Sequence, residues 1–212
     1  GMNRRNADFI SSQNPRKLYP LVDNKVKTKE LLEKHNLPTP ELYFAISSNY
    51  ELRMLGELKF LREFVIKPAR GAEGRGILVI VDRHEKEWLK ASGERYKAED
   101  LQYHASNILA GLYSLGGSDD QAFIEYRVRS HAVFKNYAYQ GVPDIRIILY
   151  KGVPLMGMLR LPTKKSDGRA NLHQGAVGVG IQLEKGVTFG GVHLGNLVDI
   201  HPDTQKPLEG LN

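Results

Sequence analysis

The sequence predicts an α+β chain built as two α/β subdomains, and three observations carry that reading. Apolar strands come as hairpin pairs: residues 64–68 with 77–81, and a strand opening at Asp144 with one ending at Arg160. Helical spacing of apolar residues is confined to three stretches, 23–35, 49–61 and 98–115. A length of 212 residues suits one large domain or two small subdomains sharing a core, and the strand at 122–128 reads as the crossing between them. The expected boundaries are a basic N-terminal segment over 1–22, a first subdomain over 23–121 and a second over 122–212.

Residues 3–22 are polar and irregular, with Asn14-Pro15 and Tyr19-Pro20 as turn signals. Asp23 can cap a helix over 23–35 with Val26, Leu31 and Leu32 as its apolar contacts, and the run from Asn36 to Pro40 stops it. Residues 42–46 read as a strand. Ser47-Ser48-Asn49 offers a cap for a helix through Leu61 that carries Leu52, Leu55 and Leu58. The strand at 64–68 holds one lysine, Lys67, and leads into Ala69-Arg70-Gly71-Ala72-Glu73-Gly74-Arg75-Gly76. Strand, loop, strand is a hairpin; a Walker loop requires a following helix and Gly-Lys-Ser/Thr, which are absent. A loop rich in glycine and arginine can still fold over a triphosphate with its backbone N–H groups, although alone it is better explained as an ordinary hairpin tip. Lys67 shifts the balance. A lysine in an apolar strand snorkels out at an edge or meets an anion, and beside this loop phosphate is the more economical partner.

Residues 98–115 make the best helix, with Leu101, Ala105, Ile108, Leu109 and Leu112 on one face and Gly116-Gly117-Ser118 as its stop. After the strand at 122–128, a polar and aromatic connection over 129–143 leads to the stretch that organises the functional reading. It contains Asp144, Arg146 and Arg160, then Ser166-Asp167-Gly168-Arg169-Ala170-Asn171-Leu172-His173-Gln174-Gly175. Guanidinium groups bind phosphate and carboxylate in bidentate fashion, and glycine and asparagine suit a loop whose backbone approaches a ligand closely. This is the anion-handling half of an active site. Alternation puts Asp144 and Arg146 on one face of the strand. Arg160 joins them only if paired positions sum to an even number, which predicts a three- or five-residue loop around Lys151-Gly152, with glycine left-handed. His173 is either a base or a structural hydrogen-bonding histidine. The other histidines and Trp88 belong to surface or core. A strand over 179–183, a turn at Lys185-Gly186, a glycine-rich segment and a loop-like tail close the chain.

The composition, 41% hydrophobic and 25% charged, is that of a soluble globular protein. No apolar run approaches the ~20 residues of a membrane span, so no membrane partner is expected. No secretory leader opens the chain, and a cytoplasmic home is the default. Gly1, ahead of Met2, reads as a remnant of tag removal. The absence of cysteine rules out disulfides and thiolate sites. The net charge of +6 is concentrated in Arg4, Arg5, Arg16, Lys17, Lys25, Lys27 and Lys29, set against Asp8 and Asp23. No aromatic interleaving accompanies this basic end, so a solvated face is preferred over a nucleic-acid arm.

Lys67 with its loop, the Glu125-Tyr126 strand and the 144–175 stretch together resemble the ATP-grasp superfamily. The nearest likeness is to alpha-L-glutamate ligase-like proteins, similar to the branch that adds glutamates to a ribosomal protein. Asn3-Arg4-Arg5-Asn6, the run from Leu18 to Lys25, Phe64 to Gly71, and Gly141-Val142-Pro143-Asp144-Ile145-Arg146 all carry it. The resemblance covers most of the chain and implies two subdomains with ATP between them. It implies that Lys25 and Lys67 touch ATP phosphates and that Gly71, Gly74, Arg75 and Gly76 belong to a phosphate-covering loop. Glu125 and Tyr126 would meet adenine through their backbone. Asp144 and Arg146 correspond to an Asp-Ile-Arg motif near nucleotide and acyl phosphate, and Arg169 with Asn171 to an Arg-x-Asn motif. Arg146 and Arg160 are the residues expected to stabilise acyl phosphate and tetrahedral intermediate.

The implied chemistry is ATP-dependent carboxylate–amine ligation with Mg2+, on amino-acid, peptide or protein substrates. One departure stands out. The family holds Mg2+ through an Asp and a later Glu-x-Asn, no Glu-x-Asn occurs here, and Asp199 does not match the metal aspartate in its context. No metal ligand is therefore assigned. The chain is expected to be cut short at its C-terminal end, to bind nucleotide weakly with little dependence on Mg2+ and no turnover, and to self-associate through exposed apolar surface. The rival readings are a nucleotide-binding module without ligase activity and a basic nucleic-acid-binding protein.

Overall fold

The structure is a computed structural model that describes residues 2–71 and 74–211. The chain divides into two compact units, one through Arg127 and the other from Val128.

The first unit begins with short, exposed helical turns up to Asp23. Helix α1 (Lys25–Lys34) follows, and its cap is Asn24 rather than the expected Asp23. Asn24 takes the extended conformation a cap needs, and its side-chain oxygen accepts from the N–H groups of Val26 and Lys27 at 3.0 and 3.1 Å. Asp23 instead closes the preceding turn, Pro20–Asp23. Strand β1 (Leu42–Ile46) leads to Asn49–Phe60, which is a 3₁₀-helix and not an α-helix. Leu52, Leu55 and Leu58 recur every three residues, the period of three residues per turn, so this tighter helix keeps them on one side. Strands β2 (Phe64–Pro68) and β3 (Leu78–Ile80) form the expected hairpin. A small antiparallel sheet that sequence reading did not anticipate comes next: β4 (Asp82–His84), β5 (Glu87–Leu89) and β6 (Arg95–Tyr96). It carries Trp88 into the core, where the indole N–H donates to the Leu61 carbonyl at 3.3 Å.

Helix α2 (Ala98–Leu109) buries Leu101, Ala105 and Ile108 but stops short of residue 115. Gly111 turns the chain with φ +77, and a Cβ there would sit 2.4 Å from the Ser118 carbonyl, so the backbone folds back at that point. Leu112 falls beyond this turn and is 66% exposed. Strand β7 (Ala122–Glu125) then enters the sheet between β1 and β2, giving the order β1-β7-β2-β3 with every neighbour antiparallel. Because β7 is paired on both edges it lies within the first unit, which runs through Arg127.

Side-chain alternation gives this sheet two distinct faces. Phe64, Ile66, Leu78, Ile80, Ala122 and Ile124 pack with Trp88, the 3₁₀-helix and α2. The opposite face presents Val65, Lys67, Phe123 and Glu125, where Val26 of α1 packs with Phe123 and Ala69.

The second unit is an antiparallel meander in the order β12-β11-β10-β9-β8. Its strands are β8 (Asp144–Tyr150), β9 (Val153–Leu161), β10 (Val177–Gln182), β11 (Val187–His193) and β12 (Asn196–Leu197). Leu159, Leu161, Val177 and Val179 form its core with Leu208 and Leu211, so the irregular tail is packed. The glycine-rich segment is strand β11. At Gly191 a Cβ would meet the Val198 carbonyl at 2.4 Å and Leu208 at 2.5 Å, so close packing explains the missing side chain.

The β8–β9 connection corrects the expected loop. Lys151 and Gly152, with φ +50 and +80, make a two-residue turn with both centres left-handed. Arg160 nevertheless pairs directly with Asp144, and Met158 with Arg146, because the register shifts between Ile148 and Leu149 and leaves Leu155 unpaired. A β-bulge supplies the odd residue that a longer loop was expected to supply.

Candidate functional site

In the first unit the candidate residues gather on the sheet face under α1 and at the two feet of the glycine loop. Asn24 starts α1 so that Lys25 lies against the end of β2. Its backbone N–H donates to the Ala69 carbonyl at 2.9 Å, and its ammonium donates to the carbonyls of Gly71 at 2.5 Å and Ala69 at 3.3 Å. Burial is the main cause that lowers the Lys25 pKa from its ordinary value. Asp120 opposes that shift and the nearby Lys67 adds to it. Asp120 also braces the loop from below, accepting from the Arg70 N–H with both carboxylate oxygens at 3.0 Å.

The far foot of the loop is Gly76, whose carbonyl faces His104 Nε2 of α2 at 3.0 Å. A Cβ on Gly76 would lie 2.6 Å from the Tyr113 ring, and φ at Gly74 and Gly76 is +75 and +72, so both positions suit glycine. Burial lowers the His104 pKa against the raising effect of the Gly76 bond. Arg75 is exposed. Ala72 and Glu73, within the expected loop, lie outside the described residues.

Lys67 points to the α1 side of the sheet, where its ammonium pairs with the Glu125 carboxylate. Glu125 is 2% exposed and holds a second partner, Lys29 of α1, at 2.7 Å. Two ammonium groups on one carboxylate leave a net positive charge here, and Lys25 adds to it. Sequence reading missed Lys29. The available signal was its place three residues after Val26, which puts a lysine on the apolar face of α1. Tyr126, directly after β7, is exposed, and its N–H donates to the Glu41 carbonyl at 2.8 Å.

In the second unit, the bulge brings Asp144, Arg146 and Arg160 to one face of the β8–β9 hairpin. Arg160 grips Asp144 with two nitrogens, Nε on Oδ1 at 2.5 Å and Nη2 on Oδ2. Arg146 is exposed, and no side chain or carbonyl among the described residues holds it. Arg169 and Asn171 are placed in the following loop. Arg169 lies 3.7 Å from Asp167, and Asn171 accepts from the His173 N–H at 3.0 Å as the cap of a short 3₁₀ turn. His173 is exposed. His201 is a buried structural histidine whose Nε2 donates to the Pro162 carbonyl at 3.0 Å while Nδ1 accepts from the N–H groups of Asp203 and Thr204. Burial lowers its pKa, which fits this neutral tautomer. Among the described residues no three His, Cys, Asp or Glu side chains cluster as a metal site.

The family model for sugar-transfer associated ATP-grasp proteins matches residues 4–212. The chain belongs to this ATP-grasp family. Its α+β architecture of helices and antiparallel sheets is consistent with the ATP-grasp fold. Membership assigns it to an ATP-binding class of ligase-type enzymes. The matched family is described by sugar transfer, and nothing found supports the narrower glutamate-ligase branch. No protein of curated function matches the chain.

Proposed function

We propose that the protein is an ATP-dependent carboxylate–amine ligase that forms an amide through an acyl phosphate. The observation that carries the reading is the pair Lys25 and Lys67, on separate elements but electrostatically coupled, beside the foot of a glycine loop in an ATP-grasp chain. In the proposed reaction a substrate carboxylate oxygen attacks the γ-phosphorus of ATP, the bond to the β–γ bridging oxygen breaks, and ADP leaves with that electron pair. The amine nitrogen then attacks the acyl carbon, phosphate departs, and the amine proton passes to solvent.

Lys25 and Lys67 hold the nucleotide phosphates, with loop N–H groups over them. Arg146 neutralises charge on the acyl phosphate, and the Arg160–Asp144 pair keeps its hairpin face rigid. Mg2+ supplies further charge neutralisation to phosphoryl transfer when it is bound. The described residues do not offer it a cluster of ligands, so no step is routed through it.

The glutamate-ligase resemblance favours an amino-acid substrate. The family description favours a second reading, in which one of the two substrates carries a sugar. The direct test is thermal stabilisation by ATP, ADP and GTP with and without Mg2+. Specific binding raises the melting temperature by mass action, and the absence of any adenine-nucleotide shift would remove the proposal. Release of ADP and phosphate with amino-acid and aminosugar or sugar-acid panels then separates the two substrate readings.

A further inference from the structure

Lys29 is 7% exposed and has no part in the proposal above, yet it is tied into the nucleotide-facing cluster. Its ammonium is bonded to the Pro40 carbonyl and lies 2.7 Å from the Glu125 carboxylate that also receives Lys67. We propose that Lys29 is a positioning residue that keeps Glu125 paired and so frees Lys67 to turn to the phosphates of a nucleoside triphosphate. The inference rests on the nucleotide reading and deepens it.

Glu125 and a nucleotide phosphate compete for Lys67. Any phosphate that takes Lys67 must take it from Glu125. If Lys67 were the sole partner, its departure would strand a buried carboxylate, which is strongly unfavourable. Lys29 removes that obstacle because it comes from a different element and stays behind. Burial and the Pro40 carbonyl fix it, whereas the Lys67 side chain is 28% exposed against 9% for Lys29. The strand register adds the geometry. Val65 stands opposite Glu125 and Lys67 opposite Phe123, so Lys67 and Glu125 are diagonal neighbours on one face, close enough to pair and to part.

The test is titration calorimetry with ATP on the wild-type chain and on Lys29→Met, Lys29→Met/Glu125→Gln, Lys67→Met and Lys29→Met/Lys67→Met, each checked for folding by circular dichroism. Lys29→Met is expected to weaken ATP by about tenfold or more, because Lys67 is then held by an otherwise unpaired carboxylate. Adding Glu125→Gln is expected to return affinity to within about threefold of wild type, a rescue that a packing role for Lys29 would not give. The Lys29→Met/Lys67→Met variant leaves the buried Glu125 with neither ammonium, and it is expected to bind ATP no better than Lys67→Met alone. Unchanged affinity in folded Lys29→Met, or no rescue by Glu125→Gln, overturns the relay while leaving the nucleotide site standing. Absence of ATP binding by the wild type overturns both. If Lys29→Met does not fold, the Lys29→Met/Glu125→Gln variant decides: affinity near wild type supports the relay, and a loss beyond about tenfold overturns it.

Discussion

The two units hold their cations in different ways. In the first, Lys25 donates to the carbonyls of Ala69 and Gly71, while Lys29 and Lys67 share Glu125. These are single ammonium groups on flexible stems, and such groups can change partner by rotating a few bonds. In the second, Arg160 is clamped in two places by Asp144, and Arg146 stands two residues along the same face with no partner among the described residues. A bidentate guanidinium is a fixture. Under the proposed function this contrast is a division of labour: exchangeable lysines for the nucleotide, and one rigid plus one open arginine for the acyl phosphate.

The sharpest way to break this contrast is Glu125→Ala. It leaves Lys29 buried without its anion, and a loss of ~3–5 kcal/mol in denaturant unfolding is expected for the first unit. A loss under ~1 kcal/mol would mean that the shared carboxylate is not what holds these lysines. Next in size is Lys67→Met, which is expected to weaken ATP binding by ~1–3 kcal/mol with the fold intact, read by calorimetry.

Acid titration sharpens the comparison, because the partly buried His104 of the first unit and the buried His201 of the second both have a lowered pKa. His104 and His201 stay neutral in the folded protein below the pH at which the unfolded chain protonates them. Stability from each is full above the ordinary value of about 6.5 and is lost as pH falls below it, with a slope of at most about 1.4 kcal/mol per pH unit per histidine. Unfolding midpoints from pH 8 to about pH 5 should decline less in His104→Gln and in His201→Gln, provided each variant folds. An equal decline in all three proteins would show that other groups carry the acid sensitivity.

The smallest effects come from the hairpin. Asp144→Asn loosens a partly exposed ion pair and is expected to cost about 1 kcal/mol or less of stability. Arg146→Met is expected to change stability by no more than about 0.5 kcal/mol, since nothing in the described structure leans on Arg146. A larger loss from Arg146→Met than from Asp144→Asn would reverse the assignment of open and fixed arginine.

Much of the sheet was legible in the sequence, because β1, β2, β3 and the β8–β9 hairpin are apolar runs bounded by turn residues. The cation-bearing strands were legible for the opposite reason: a lysine at 67 and arginines at 146 and 160 stand out in such runs. Length and type were harder. Leu52, Leu55 and Leu58 fit a period of three as well as one of 3.6, and only packing chose between them. Leu109 and Leu112 continued the helical pattern of α2, but the backbone turn at Gly111 stopped it first. The β4–β6 sheet was hidden because its strands are three residues or fewer and show no apolar run. The spacing of Lys29 from Val26 put it on the apolar face of α1, but only tertiary packing showed that it faces Glu125 while Lys25 turns to the loop carbonyls and Lys27 to solvent.

The bulge at Leu155 makes the β8–β9 hairpin a parity counter. With it, the two-residue turn delivers Arg160 opposite Asp144; losing a single residue from the tip, with the turn unchanged, would straighten the ladder and send Arg160 to the other side of the sheet. Insertions or deletions of two residues, one on each strand, leave the count even and the arginine where it is. Length variation in this tip should therefore be tolerated in balanced pairs and penalised singly, and a reading-frame-preserving loss of one codon there would act on a site some ten residues away without touching any of its side chains.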